Sequence, residues 1–352
     1  MCIRDSILSV GGTRVDGSKI SATQSLRLTG GNIDINAVND SEYFARLSTD
    51  DKTFGESVSS HKTFRSNSID SELSGATVVL VTEHGDIEIT GSQIKARGSL
   101  VLSSSDDIYI DAGHDESMDE SYRHESGWFS GGSLYSETED LEGKIRVSAV
   151  RSRIHAESLV LDASDDIELT GVEIAVEDSL DATARDIAVR STIDQETTYS
   201  RHTKISVGVG DLVSNPGDIG DLVEVEDGKA KLRLGTAHYK NAESSTREIT
   251  AVASQLDART IQFDAVRDTA GDITIEGSDL LAMDSIELNA TGDVALLDAR
   301  HEYTREDLSQ EGTAVVNLTV RNEYEQVTRA IKSVKDAERD LRHARDDYDQ
   351  YK

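Results

Sequence analysis

The sequence predicts an all-β protein, a right-handed parallel β-helix with coils of about 20 residues, β-hairpin excursions and a C-terminal α-helix. Three observations predict it. Short apolar alternations separated by Gly, Ser, Asp and Asn recur along the chain, the pattern of strands with one buried face. Widely separated stretches superpose on one another at the same spacing. After residue 321 the apolar period changes to that of a helix.

Length alone would suggest about two globular domains, but that expectation fails for a short-period repeat, in which each unit stacks only on its neighbours. The first six residues, Met1-Cys2-Ile3-Arg4-Asp5-Ser6, resemble the translated end of a transposon adapter used in library preparation and are set aside as a fusion scar would be. Cys2 is the sole cysteine, so residues 7–320 contain neither a disulfide framework nor a thiolate metal site.

Within residues 7–320 the clearest repeat lies between 92–110 and 152–169. In both, an Ile-x-Ala step (Ile94, Ala96; Ile154, Ala156) precedes Leu-x-Leu (Leu100, Leu102; Leu159, Leu161), then Asp-Ile-x-Ile/Leu (Ile108, Ile110; Ile167, Leu169). Three short strands therefore make one coil. Further coils are read at Ile174 to Val189 and Leu280 to Leu296, and over 20–35 and 256–275. The return from Ile87 to Ile108, Ile167 to Ile187 and Ile273 to Val294 is 20 or 21 residues. Strands of about 3–5 residues span roughly 10–17 Å, so three close a narrow triangle around one apolar column, and coils stack at about 4.8 Å. About six full coils are readable, enough for roughly 30 Å of rod. Pro216 lies outside them, as a continuous ladder requires.

The third strand of each coil is preceded by Asn32, Asp86, Asp107, Asp166, Asp186, Asp272 or Asp293. Stacked carboxylates offer a column for cations. The same residues also favour tight turns by bonding backbone, and the glycine-rich calcium nonapeptide is absent.

Between coils the chain leaves the repeat over 38–75, 111–151, 190–253 and 299–320, in sequence rich in Ser, Thr, Glu or His. Segments of that length carry structure of their own or move. In one, Asp227-Gly228 is a hairpin turn that pairs Glu226 with Lys229, Glu224 with Lys231, Val225 with Ala230 and Val223 with Leu232. Residues 199–209 alternate likewise and should form another excursion strand. Over 321–352, Val327, Ile331, Val334, Ala337, Leu341, Ala344 and Tyr348 mark one face of an amphipathic helix, a cap for the rod or the start of a truncated next domain.

Gly85-Asp-Ile-Glu-Ile-Thr-Gly-Ser-Gln-Ile-Lys-Ala-Arg-Gly-Ser-Leu-Val-Leu102 resembles the haemagglutinin repeats of filamentous haemagglutinins and of contact-dependent growth inhibition effectors. The polar excursions, including Val-Gly-Val-Gly from Val207 to Gly210, resemble interruptions in those repeats. The resemblance spans most of residues 10–320. It implies a secreted exoprotein of two-partner secretion on the surface of a Gram-negative bacterium, exported by an outer-membrane partner transporter and serving adhesion or toxin delivery. Strong acidity, and the lack of an export or toxin domain within these residues, depart from the usual pattern.

Composition narrows the partners. With 67 acidic against 36 basic side chains, a formal charge of -31 and 5% aromatics, the surface disfavours nucleic acid and anionic lipid. No apolar run approaches the roughly 20 residues that span a bilayer. The nine histidines fall at no ligand spacing, although His114 and His124 share an excursion. Neither a Gly-x-Ser-x-Gly elbow nor a phosphate-cradling glycine loop occurs. Trp128-Phe129 reads as an exposed anchor for a partner or, more commonly for such residues, as packing on the rod's flank. No catalytic, cofactor-binding or metal-ligating residue is assigned, and the target-cell receptor is left open. The expected function is a non-catalytic fibre segment; the alternatives are a polysaccharide-active β-helix enzyme and a structural surface-layer or matrix protein.

Overall fold

A computed structural model describes residues 6–9, 11–129, 133–208, 223–226, 229–267 and 269–320. The helix expected over 321–352, the Asp227-Gly228 turn and Pro216 lie outside these residues. Ser6, set aside with the adapter-like start, begins the first strand, Ser6–Leu8, which pairs in parallel with Ser25–Gly30.

The described residues are all-β and wind as a parallel β-helix. Each coil contributes its third strand to an 8-stranded sheet running from Thr13–Asp16 to Val294–Leu297. The first and second strands form a 13-stranded sheet, whose two halves meet where Gln255–Ala265 runs through both. The superposition read from sequence is the physical register: Ile94 stands opposite Ile154, Leu100 opposite Leu159, Leu102 opposite Leu161 and Ile108 opposite Ile167. Ile87 likewise stacks on Ile108, Ile167 on Ile187 and Ile273 on Val294.

Period-two alternation sends every second side chain into one apolar column. Ile87, Ile108, Ile167, Ile187 and Ile273 are at most 1% exposed, as are Leu26, Leu100, Leu159 and Leu180 on another wall. Burying each such side chain contributes about 1.5–3 kcal/mol. In the last described coil the column is open, so Leu296 is 69% exposed where its counterpart Leu169 is fully buried.

The aspartates before the third strand form a ladder along the rod. Each carboxylate accepts the backbone N–H of the equivalent residue one coil on: Asp86 from Asp107 at 3.1 Å, Asp107 from Asp166 at 2.8 Å, Asp186 from Asp272 at 2.8 Å and Asp272 from Asp293 at 2.7 Å. Between Asp166 and Asp186, Arg185 bridges instead, with bonds to Asp165, Asp166 and Asp186. Of the two uses open to this column, bonding backbone is the one these contacts make.

A second ladder runs where first strands begin. Ser71, Ser92, Ser152 and Ser254 are at most 2% exposed. Ser92 Oγ accepts the Ser71 N–H at 3.3 Å and donates to the Thr90 carbonyl at 2.9 Å. Ser152 Oγ accepts the Ser92 N–H at 3.2 Å and donates to the Asp111 carbonyl. Buried hydroxyls thus satisfy backbone groups that the corner leaves outside the strand ladders.

Candidate functional site

Three of the excursions are long antiparallel hairpins, and together they form one sheet. The first pairs Val38–Lys52 with Gly55–Ile69, the second Gly113–Trp128 with Ser133–Val150, and the third Thr192–Gly208 with Lys229–Val252. The first ends at Ile69, short of the boundary at 75 read from sequence. Glu72–Gly75 already belongs to a coil, because Leu73 is fully buried in the column and stacks on Ile94. Glu302–Val320, the excursion read as 299–320, adds a further strand against Lys229–Val252. Val223–Glu226 pairs with the third hairpin in the register the Asp-Gly turn predicts.

Neighbouring hairpins hydrogen-bond edge to edge. Gly55–Ile69 joins Gly113–Trp128, and Ser133–Val150 joins Thr192–Gly208, so the excursions build a fin beside the rod. The physical reason is a match of pitch. Hairpins depart after the third strands Ile33–Asn36, Ile108–Asp111 and Asp186–Arg190, hence from every second coil. Two coils advance the rod by about 9.6 Å, and two antiparallel strands occupy the same width.

Glycine enforces the alternation. Coils that send out no hairpin turn this corner at Gly17, Gly91, Gly171 and Gly277, each with φ between +49° and +62°. A Cβ on Gly171 would lie 2.4 Å from Thr192 Cγ2 and 2.9 Å from Ala112 Cβ, at the bases of the hairpins one coil to either side. Each glycine follows an inward apolar residue by two and precedes another by three: Val15 and Ile20, Ile89 and Ile94, Leu169 and Ile174, Ile275 and Leu280. That spacing was the available sequence signal for the fin, and it was missed because long polar excursions separate its occurrences.

A polar network ties the hairpins together. Lys62 on the first, Glu120 and Gly143 on the second and Tyr199 on the third stand in one cross-strand row. Lys62 Nζ meets Glu120 Oε1 at 2.7 Å, and the Tyr199 hydroxyl donates to Glu120 Oε2 at 2.8 Å. These bonds hold the Glu120 carboxyl below the usual carboxylate range, with Lys62 the larger influence. Burial and then Glu120 push the Tyr199 phenol up to about 12.

The histidines of the second hairpin do not converge. His114 and His124 lie on one strand, roughly 34 Å apart at about 3.4 Å per residue. His124 faces Glu137 at 3.9 Å. Among the described residues no group of three or more His, Cys, Asp or Glu side chains is arranged to hold a metal ion. No helix among them is long and apolar enough to cross a membrane.

Trp128 and Phe129 stand at the tip of the second hairpin, beside the tip of the first, instead of on the rod's flank. Trp128 packs on its cross-strand partner Tyr135 with centroids 5.1 Å apart, and Phe129 meets Phe54 of the first hairpin edge-on at 6.4 Å. The Trp128 N–H donates to the Phe54 carbonyl at 2.7 Å, locking the two tips together. Phe54 and Phe129 are 64% and 73% exposed. A hollow of about 460 Å³ beside them is bordered by Trp128, Tyr135, Asp51 and Glu56. On the fin's flank a larger hollow of about 770 Å³ is bordered by Arg46, His61, Arg123, Asp140 and Glu142.

A family model described as hemagglutinin repeat matches residues 52–151 and 235–337, more than half of the chain. The first match begins at the tip of the first hairpin and ends just past the second, so it spans a return strand, two coils and a complete hairpin. The second begins within the return strand of the third hairpin and runs through the last two described coils and Glu302–Val320. The family unit therefore coincides with the two-coil period of the architecture. No curated protein and no solved structure matches the chain.

Proposed function

Because the chain belongs to the hemagglutinin-repeat family and is thereby part of a secreted, adhesin-like fibre, we propose that it acts by surface contact, without catalysis, for adhesion or contact-dependent toxin delivery. One observation carries the reading: the rod repeats a unit of two coils and one hairpin, so its fin grows continuously with its length. Repetition of this kind extends a surface, which supports contact as the mode of action.

Export through an outer-membrane partner transporter to the surface of a Gram-negative bacterium belongs to the same proposal and rests on the family. Strong negative charge supports it, since self-repulsion keeps a long unfolded chain soluble during passage.

The test is cell binding by the whole labelled chain, run beside small-angle scattering and a polysaccharide digest. Saturable binding by an elongated particle that leaves polysaccharides uncut is expected. A compact particle, or cleavage of any polysaccharide offered, contradicts the proposal. Sequence flanking the gene separates the two uses, because a downstream toxin with an immunity gene marks delivery.

A further inference from the structure

We propose that the hollow at the joined tips of the first two hairpins binds phosphocholine groups. This rests on the reading of the chain as a surface-contact fibre and deepens it. Trp128 and Tyr135, with Asp51 and Glu56, take the quaternary ammonium, and Lys52 takes the phosphate. The chain holds one Trp and five Phe in 352 residues, yet the Trp and two of the Phe meet at these tips. The strands Lys229–Val252 and Glu302–Val320 reach past the tips, so the hollow is recessed from the fin's outer limit.

Paired glycines open the hollow. Gly55 stands directly opposite Gly127, so the floor between the two hairpins carries no side chain there, and a Cβ on Gly55 would lie 2.3 Å from the Ser126 carbonyl oxygen. The walls are held in place. Trp128 N–H donates to the Phe54 carbonyl at 2.7 Å, fixing one tip against the other, and the Tyr135 hydroxyl donates to Glu137 at 3.0 Å. Rings ordered before a ligand arrives lower the entropic cost of binding it. The volume of about 460 Å³ lies within the usual size range of small-ligand sites.

An unbalanced charge beside aromatic rings selects the ligand. Asp51 and Glu56 are a directly opposed cross-strand pair, an arrangement in which like charges repel. Among the described residues neither carboxylate makes an ion pair or a hydrogen bond. Two carboxylates suit a metal ion poorly, and among the described residues no group of three or more is arranged for one. Next to Trp128 and Tyr135 they suit a bulky, weakly hydrated organic cation, which gains from the ring quadrupole as well as from the charges. Lys52 follows Asp51 and lines the same hollow, so an anionic group joined to that cation by a short link finds its own partner. A phosphocholine diester carries these two charges side by side and no net charge. A simple anion is repelled by the carboxylates, within a chain of net charge -31.

Trp128 is the only tryptophan, so its emission reports on the site directly. The whole chain is titrated with glycerophosphocholine, choline, glycerophosphoethanolamine and inorganic phosphate, and is sedimented with phosphatidylcholine vesicles. A saturable emission change with glycerophosphocholine and a weaker one with choline are expected. Tyr135→Ala and Glu56→Gln should each weaken the first by about tenfold or more while hydrogen exchange in the rod and hairpins is unchanged in Glu56→Gln. Lys52→Ala should weaken glycerophosphocholine and leave choline as it was. Sedimentation with the vesicles marks a bilayer as the source of the headgroup, and binding of the soluble diester alone marks phosphocholine carried on other molecules. No saturable change with glycerophosphocholine overturns the proposal, as does an equal response to glycerophosphoethanolamine or phosphate, or one that Tyr135→Ala and Glu56→Gln both retain. If glycerophosphocholine fails while the chain still binds cells as an elongated particle, the phosphocholine site is wrong and the fibre reading stands.

Discussion

Tyr199 donates its phenolic hydrogen bond to Glu120 across an intervening strand, at 2.8 Å, with its ring in the space a side chain at Gly143 would fill. The contact joins the second and third hairpins, and Lys62 extends it to the first. It makes three excursions that are far apart in sequence a single element.

Gly143→Val should therefore unlock the fin. A Cβ at Gly143 lies 2.1 Å from Tyr199 Cζ, so the ring must leave and Glu120 loses a partner. The expected loss is about 1–3 kcal/mol, with Tyr199→Phe costing roughly 1 kcal/mol. Hydrogen exchange read strand by strand checks this: faster exchange in the hairpins and unchanged protection of the rod are expected.

Gly171→Val tests the corner. The residue sits at φ +62° against Thr192 and Ala112, so the variant meets both a left-handed backbone and two close contacts. A loss of about 2–4 kcal/mol in urea unfolding is expected. A solvent-exposed control, Glu157→Ala, should change stability by under about 0.5 kcal/mol.

Pitch matching predicts opposite outcomes for two deletions. Removing residues 159–179 lets Leu180 take the place of its registered partner Leu159 and keeps the apolar column. It also brings the second and third hairpins onto adjacent coils, about 4.8 Å apart where their strands need about 9.6 Å. Removing residues 100–179 deletes two coils together with the second hairpin and preserves the period. Circular dichroism and hydrogen exchange should find an intact rod in both chains and a continuous fin only in the second.

Asp111 supplies a pH test. Burial, with Glu168 and Glu88 nearby, lifts its carboxyl above the ordinary aspartate range. Its folded-state value is raised, so its contribution to stability is fully present below the unfolded value and is lost as pH rises through the folded one. Asp111→Asn should then be more stable than the parent at about pH 7, and the difference should close by about pH 3. Glu72 behaves oppositely: Lys19 holds it low, so Glu72→Gln should lose stability at neutral pH and match the parent in acid.

Much of the rod was legible in the sequence because burial leaves few choices. Ile, Leu, Val and Ala must return at each inward position, which is why Ile108 and Ile167 align by sequence alone. The inner register of the third hairpin was legible for the same kind of local reason, a two-residue turn that fixes its pairs. The fin as one sheet was not. Both faces of its strands meet solvent, so residues such as Ser59, Arg123 and His202, which share a row, obey no apolar rule that would pair them. Sequence favours packing on the rod's flank for Trp128 because nothing in it gives the length of the strand Gly113–Trp128 that carries the ring outward. The tip's dependence on Phe54 needed the pairing of two hairpins whose pairing strands are separated by two coils.

The central claim, that hairpins from alternate coils zip into one sheet, is tested most directly by a register-specific cross-link. Thr138 on the second hairpin stands opposite Lys204 on the third, a placement in which paired cysteines reach disulfide distance. In a chain with Cys2 replaced by Ser, Thr138→Cys with Lys204→Cys should oxidise to an intramolecular disulfide, whereas Thr138→Cys with Thr198→Cys should not. A cross-link that fails in the first chain, or forms equally in both, would contradict the fin.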